Sequence, residues 1–439
     1  MKIRPLYFAI SFISFITIIK SDCNCQSVLK NYTSVDSYNI NPKPSINFNG
    51  ITITPVSYIK NETSDIGLIY TDEYANLIKA YRFTGNDKYV INQIIPSKTG
   101  SILLAAEGYS KNNQESFYFI EFLDGKILNS FIFNEGGNEL DPFTIVENND
   151  NTITIAGFVK KREPIGSFDF TMFNEDQFMY IATFTKDGKK LWSKGIQFEG
   201  YTDNSAIKII STGNKYYILA YGKKNKVLIP KLIQLNLKGK IEKCLDFNEN
   251  GNSFMIHNLE FYNNKIWLFG VMEKNNSTEG VISSFDLSLN QLESYKLQLK
   301  ANILPSSIQF YNNFLYVSSS ILEKELSYNN LTIKFNLIDK TYQIQTWGND
   351  KIEKLSSYFN YYSIGTIINP SNKYNNYLRF YKGIEWDKTI INKSSPITLN
   401  LMNIKKVTIT TRFGVSTINK GVGELKCESY YNKLILLDK

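Results

Sequence analysis

The chain has 439 residues, 43% of them hydrophobic and 21% charged, with a formal net charge of +8 and four cysteines. That length exceeds what one hydrophobic core ordinarily organises, which implies several domains or a repeat array. The basic residues are scattered, the densest runs being Lys160-Lys161-Arg162 and Gly222–Lys226, which argues against a nucleic-acid-binding stripe; four cysteines are too few to staple a mini-fold.

Residues 1–25 read as a signal peptide. Lys2 and Arg4 form a basic start, and Leu6–Ile19 is an apolar stretch of 14 residues interrupted by Ser11, Ser14 and Thr17. It is too short to span a bilayer and suits a signal-peptide core. Cleavage after Cys25, with Cys23 at −3, would leave Gln26 as the new N-terminus. An uncleaved anchor and lipidation at Cys23 are the alternatives, although Lys20 and Asp22 suit a lipobox poorly. No later segment approaches 18 uninterrupted apolar residues, so no transmembrane segment is expected beyond the leader. Export to a periplasmic, cell-surface or extracellular space follows. After cleavage Cys244 and Cys427 remain, either as a disulfide or as two separate small buried side chains.

Gln26–Ser45 is polar, carries Pro42 and Pro44, and reads as an N-terminal lead-in. From Ile46 to Lys439, short runs of β-branched and aromatic residues alternate with Asn, Gly, Asp and Lys, a pattern that predicts an all-β fold. One unit recurs: Asn151-Thr-Ile-Thr-Ile-Ala-Gly157, Asn214-Lys-Tyr-Tyr-Ile-Leu-Ala-Tyr-Gly222 and Asn264-Lys-Ile-Trp-Leu-Phe-Gly270. Related copies start near Gly50, Gly100, Asn313, Tyr361 and Lys406, giving steps of 50, 51, 63, 50, 49, 48 and 45 residues. A second part of the unit is a hairpin, with turns at Asp124-Gly125, Asp187-Gly188, Lys238-Gly239, Asp339-Lys340 and Lys382-Gly383. Asp-Gly between two strand-like runs is a strong hairpin signal because the turn needs positive φ. A period near 50 residues fits the four-stranded blade of a β-propeller, with seven blades expected and eight as the alternative. The last unit, from about Pro396, is degenerate and expected to complete the first blade, with Tyr431–Leu437 as closing strand; a small C-terminal β-sandwich from the same point is a competing arrangement. The 63-residue step contains an insertion at Arg162–Phe170, expected as a rim loop.

The stretch from Asn151 to Gly200 carries Thr-Ile-Ala-Gly-Phe158, Gly166-Ser-Phe-Asp-Phe170 and Asp176-Gln-Phe-Met-Tyr-Ile-Ala-Thr-Phe-Thr-Lys-Asp-Gly-Lys-Lys-Leu-Trp-Ser-Lys194. It resembles the bacterial SBBP-type β-propeller repeat, whose units run V-T-G-x-F…F-V-A-K…D-G-N-x-x-W-x-K. Phe117–Lys126 and Lys382–Lys388 match in part; elsewhere the period persists without the signature, as at Ser288-Leu-Asn290. The resemblance implies a secreted or surface propeller and carries no catalytic residues.

Few residues offer chemistry. His257, the single histidine, lies on an expected inner strand, so a multi-histidine zinc site is excluded, and no Gly-x-Ser-x-Gly elbow accompanies it. Rim carboxylates could serve a glycosidase or lyase; the candidates are Asp141, Asp203, Glu260 and Asp286. Asn148–Asn151 and Asn248–Asn252 are oxygen-rich but lack the residue order of a calcium loop and read as turns. Trp192 and Trp386 recur near one repeat position, as inter-blade packing would require, and Trp267 and Trp347 are read likewise. No nucleotide- or quinone-binding motif is present, so no cofactor, metal or catalytic residue is assigned. The sequence therefore predicts an exported, monomeric, non-enzymatic propeller that binds a protein or glycan through its rim loops. A carbohydrate-active hydrolase or lyase and a structural surface component are the alternatives.

Overall fold

The computed structural model of the chain describes the strands and most connections between residues 28 and 437, with side chains described mainly from 39 to 345. Residues 1–27 and connecting segments such as 110–114, 166–171, 248–252, 369–376 and 383–391 lie outside the description, and with them the signal peptide, the Asn248–Asn252 loop and Trp386.

The chain is a β-propeller. It opens with β1 (Val28–Ser34), then β2 (Asn39–Pro42), β3 (Ile46–Phe48), β4 (Ile51–Lys60), β5 (Thr63–Thr71) and β6 (Leu77–Thr84). The next blade is β7 (Lys88–Pro96), β8 (Ile102–Tyr109), β9 (Glu115–Leu123) and β10 (Lys126–Glu135). It is followed by β11 (Glu139–Glu147), β12 (Ile153–Ile165), β13 (Met172–Phe184) and β14 (Lys190–Phe198). Then come β15 (Thr202–Ser211), β16 (Lys215–Lys224), β17 (Val227–Asn236) and β18 (Ile241–Phe247), and β19 (Ser253–Tyr262), β20 (Lys265–Lys274), β21 (Ser277–Phe285) and β22 (Gln291–Leu299). A further blade is β23 (Ile303–Tyr311), β24 (Phe314–Lys324), β25 (Ser327–Asn336) and β26 (Thr341–Trp347), and after it come β27 (Ile352–Phe359), β28 (Tyr362–Ile368) and β29 (Tyr377–Lys382).

Six sheets take their four antiparallel strands from one continuous stretch of chain, β2-β4-β5-β6 with β3 beside β4 being the first. The remaining sheet is composite: β27-β28-β29 is completed by β1 from the other end of the chain. The expectation of seven or eight like units is thus corrected to six contiguous four-stranded blades and one composite sheet. The copies starting at Gly50, Gly100, Asn151, Asn214, Asn264, Asn313 and Tyr361 are the second strands β4, β8, β12, β16, β20, β24 and β28. The copy at Lys406 starts no blade.

After residue 391 the chain does something its period did not announce. β30 (Asn392–Lys393), β31 (Ser395–Pro396), β32 (Leu401–Asn403), β33 (Val407–Thr410), β34 (Ser416–Lys420), β35 (Lys426–Ser429) and β36 (Leu434–Leu437) pair in turn with β26, β22, β18, β14, β10, β6 and β1. Each is a fifth, antiparallel strand on the outer edge of one sheet. The tail therefore circles the ring once, in the reverse order of the blades. It forms neither a separate sandwich nor a last unit that completes the first blade. Leu434–Leu437 reaches the ring-closing sheet as its outer edge, and the strand that completes that sheet is β1, from the segment expected to be a lead-in. Cys244 is a free buried thiol on β18, whereas Cys427 lies on β35 opposite Phe83 in a different sheet, so the two do not pair.

Local chemistry accounts for the blade pattern. The Asn or Gly before several second strands sits in a turn that needs positive φ: Gly50 and Gly100 have φ of 80° and 91°, Asn263 and Asn264 of 51° and 56°, and Asn312 and Asn313 of 46° and 63°. Apolar residues of neighbouring sheets face each other, so the cores lie between blades. Phe117, Phe119, Phe131 and Phe133 of one blade pack with Ile155, Tyr180 and Phe184 of the next. Each fully buried Phe of this kind contributes about 1.5–3 kcal/mol. Trp192 packs with the next blade through Tyr216, and buried Trp267 joins β20 to Phe310 on β23, as inter-blade packing requires. Among the described residues no helix is long and apolar enough to cross a membrane.

Candidate functional site: the axial cavity

The first strand of each of the seven sheets faces the propeller axis, and six of these strands share one irregularity. In the pairing of first with second strand, one residue is extra at the same level: Asn92 in β7, Phe143 in β11, Ile207 in β15, His257 in β19, Ser306 in β23 and Ser356 in β27. The remaining blade reaches the same result differently. Between Pro42↔Val56 and Ile46↔Ile53 the inner chain has three residues against two; Lys43 N–H bonds Pro55 O at 2.9 Å and Ser45 meets Thr54, leaving Pro44 extra. A bulge bends the strand and re-aims a side chain.

Close packing and hydrogen bonds fix these bulges. A Cβ on Gly157 would come within 2.0 Å of the Asp141 carbonyl oxygen, and one on Gly270 within 2.6 Å of that of Met255. The recurrent Gly at the end of the second-strand motif therefore leaves room for the bent inner strand. Asn92 Nδ2 donates to Pro142 O (2.6 Å), Ile145 N to Gln93 Oε1 (2.9 Å), Ile209 N to Thr144 Oγ1 (3.2 Å) and Tyr221 Oη to Ile256 O (2.5 Å). Each of these bonds ties one blade to the next at the level of the bulges.

Pro44, Asn92, Phe143, Ile207 and His257 all line an axial cavity of about 600 Å³. Its wall also carries Gln93, Lys208, Asn258, Glu260, Ser307 and Gln309, with Phe261 and the stacked pair Tyr262 and Phe310, whose ring centroids are 4.5 Å apart. A second hollow of about 300 Å³ shares Lys208, Glu260 and Phe261 and extends the opening past Lys98 and Glu147. Lys208 Nζ and Glu260 Oε1 are 3.3 Å apart across adjacent blades. Burial depresses the His257 imidazole to about 4, so the ring is neutral at physiological pH. Its Nε2 and the Ser307 hydroxyl are both buried and have no hydrogen-bond partner among the described residues.

The four candidate carboxylates do not converge. Counting from the bulges, Asp203 lies four residues before and Glu260 three after, on opposite sides of the bulge level. Asp203 pairs with Lys223 at 3.0 Å. Asp141 lies two residues before Phe143. Asp286 sits in an outer hairpin turn, where Oδ1 accepts Ser288 N and Asn290 N, each at 2.8 Å. Of the four, only Glu260 lines the cavity. The Asn148–Asn151 loop is a turn held by its own side chains: Asn148 Nδ2 donates to Thr152 and Thr154, and Asp150 accepts from Thr152. Among the described residues no three His, Cys, Asp or Glu side chains are grouped to hold a metal.

The insertion at Arg162–Phe170 lengthens the β12–β13 hairpin, with pairing that runs to Ile165↔Met172. The end of the hairpin at Ile165 and Met172 lies at the opposite end of the blade from the β11–β12 turn, towards which the cavity opens. The expected rim insertion and the cavity thus belong to different faces. The bulge ring escaped the sequence reading because its residues share a position and no residue type.

No family model and no curated protein matches the chain. Solved structures align with the chain at low identity. The plexin A4 full extracellular region aligns over 82% of this chain and 40% of its own length, with 10% identity and a TM-score of 0.48. One of two prolyl endopeptidases aligns over 75% and 54%, with 10% identity and a TM-score of 0.36. A puromycin-hydrolyzing peptidase of Mycobacterium tuberculosis aligns over 76% and 58%, with 6% identity and a TM-score of 0.37. The chain thus spans about half the length of these proteins.

Proposed function

We propose that the chain is an exported, monomeric propeller that acts by binding a protein or a glycan and performs no chemistry of its own. The observation that carries this reading is the cavity wall: amides, hydroxyls and aromatic rings surround a single carboxylate, Glu260, which is already engaged by Lys208. Glycoside hydrolysis of the usual kind needs two carboxyl groups about 5–10 Å apart. Of the described residues on this wall, only Glu260 could supply one. Export rests on the basic start and apolar stretch of residues 2–19, and relation to the SBBP-type repeat on the Asn151–Gly200 unit.

The secreted chain, screened against a glycan array and against surface proteins of its host, is expected to retain a partner without altering it. Following release of reducing sugar in the same samples provides the decisive contrast. Sustained product formation that disappears in Glu260→Gln would replace the binding reading with the hydrolase one.

A further inference from the structure

We propose that the axial cavity is a binding site for a short uncharged saccharide, held at the bulge ring by His257 and Ser307. This deepens the binding reading and moves the contact surface from the rim to the axis.

Two orphaned polar atoms motivate the assignment. Ser307 is 5% exposed and forms part of the cavity wall, and its hydroxyl has no partner among the described residues; His257 also lines the wall, and its buried Nε2 likewise has none there. Leaving such an atom unpaired costs about 1–3 kcal/mol, and native proteins tolerate few of them. These two are neighbours in the architecture: His257 is the bulge of β19, and Ser307 directly follows the bulge of the adjacent inner strand β23. Both residues line the cavity, so a change of rotamer at either would present its free polar atom to a ligand there.

The chemistry of the wall selects the ligand. A serine hydroxyl and a neutral imidazole can each donate and accept, as can the amides of Asn258 and Gln309, and a sugar hydroxyl does both. The two formal charges on the wall, Lys208 and Glu260, neutralise each other, so a charged ligand would find no unmatched counter-charge there. Phe143 and Phe261 add apolar surface for the C–H face of a pyranose ring. The volume falls within the ~300–1,000 Å³ of ordinary small-molecule sites.

The test uses the secreted chain and calorimetric titration with glucose, galactose, mannose, N-acetylglucosamine and their disaccharides, together with glucuronate as a charged control. At least one neutral sugar should bind and glucuronate should not. Ser307→Ala should weaken that binding at least 10-fold while leaving the melting temperature unchanged or raised, because it removes an unsatisfied hydroxyl. His257→Asn should weaken it as well, and Asp286→Asn in an outer hairpin turn should not. As the single histidine, His257 also gives one set of imidazole NMR signals, which the sugar should shift in the wild-type protein, a readout independent of how any variant folds. Failure of every neutral sugar to bind, or unaltered affinity in Ser307→Ala with an unmoved imidazole signal, would overturn the axial site. A protein or glycan partner retained on the rim would then leave the binding reading standing, whereas turnover of the sugar would end both.

Discussion

Lys186 Nζ lies 2.8 Å from Glu121 Oε1 in the neighbouring blade, and an equal distance from Glu147 Oε1 in its own. The lysine thereby clamps two blades, with Ser97, Ser101 and Asn129 completing the hydrogen bonds of the carboxylates. Burial alone would raise both glutamates, but Lys186 and these donors outweigh it and hold them below the ordinary carboxyl range. Lys186→Met would strand two almost fully buried carboxylates and should cost about 3 kcal/mol in urea unfolding. Because the folded values are depressed, the clamp's stabilisation is complete above the unfolded value near 4.5 and is lost as pH falls through the folded values. The stability gap between the variant and the wild type should therefore narrow as pH falls below about 4.5, and a gap independent of pH would show that the clamp's charges are not coupled to folding.

His257 should make the fold acid-sensitive in a different window. Its folded pKa, about 4, lies below the ordinary 6.5, so the unfolded chain takes up the proton first. Stability should decline from pH 6.5 downwards and level off near pH 4. At 1.36 kcal/mol per unit this amounts to about 2 kcal/mol between pH 6.5 and 5. His257→Phe should remove that slope, as read by denaturant titrations at the two pH values.

The glycines behind the bulges should be intolerant of even one methyl group. Gly157→Ala places a Cβ against the Asp141 carbonyl and the Pro142 backbone, neither of which can yield like the tip of a side chain. A loss of about 1–3 kcal/mol is expected. Gly280 faces the Leu299 methyl at 3.1 Å, so Gly280→Ala should fall within about 0.5 kcal/mol of wild type. Equal effects at the two sites would undermine the backbone-approach explanation.

The two ends of the chain should differ in importance. Removing residues 1–38 takes away β1, which completes the ring-closing sheet, and should abolish cooperative unfolding. Removing residues 392–439 leaves every four-stranded sheet intact but uncovers its outer edge strand. That product should fold, melt at lower temperature and associate through its bare edges, as followed by light scattering.

The repeat was legible because its signals are local. An Asn in a positive-φ turn, a run of alternating apolar residues and a closing Gly recur from Asn151 to Gly270, and each has a physical cause within a few residues. The periodic starts found the second strand of every sheet. The tail was not legible: seven short strands pair with partners up to 406 residues away, as Asn31↔Leu437 illustrates, and nothing within 392–437 encodes those distances. Likewise Val407–Thr410 has the composition of a second strand, and only its pairing with β14 reveals it as an edge. Of the chemical residues, His257 and Glu260 were visible as types, but what makes them neighbours of a cavity is a bulge register that no single blade displays. Ser307 carries no sequence signal; its interest arises from burial without a partner.

The bulged residues have no opposite number in the strand pairing. Asn92, Phe143, Ile207 and His257 can each be exchanged without disturbing a ladder hydrogen bond, because the flanking residues carry the pairing. Phe143, Ile207 and His257 thus meet the axis without carrying the pairing, whereas Asn92 also ties its blade to the next. Descendants of such a chain could retune what the axis accepts one codon at a time, with the blades left unaltered around it.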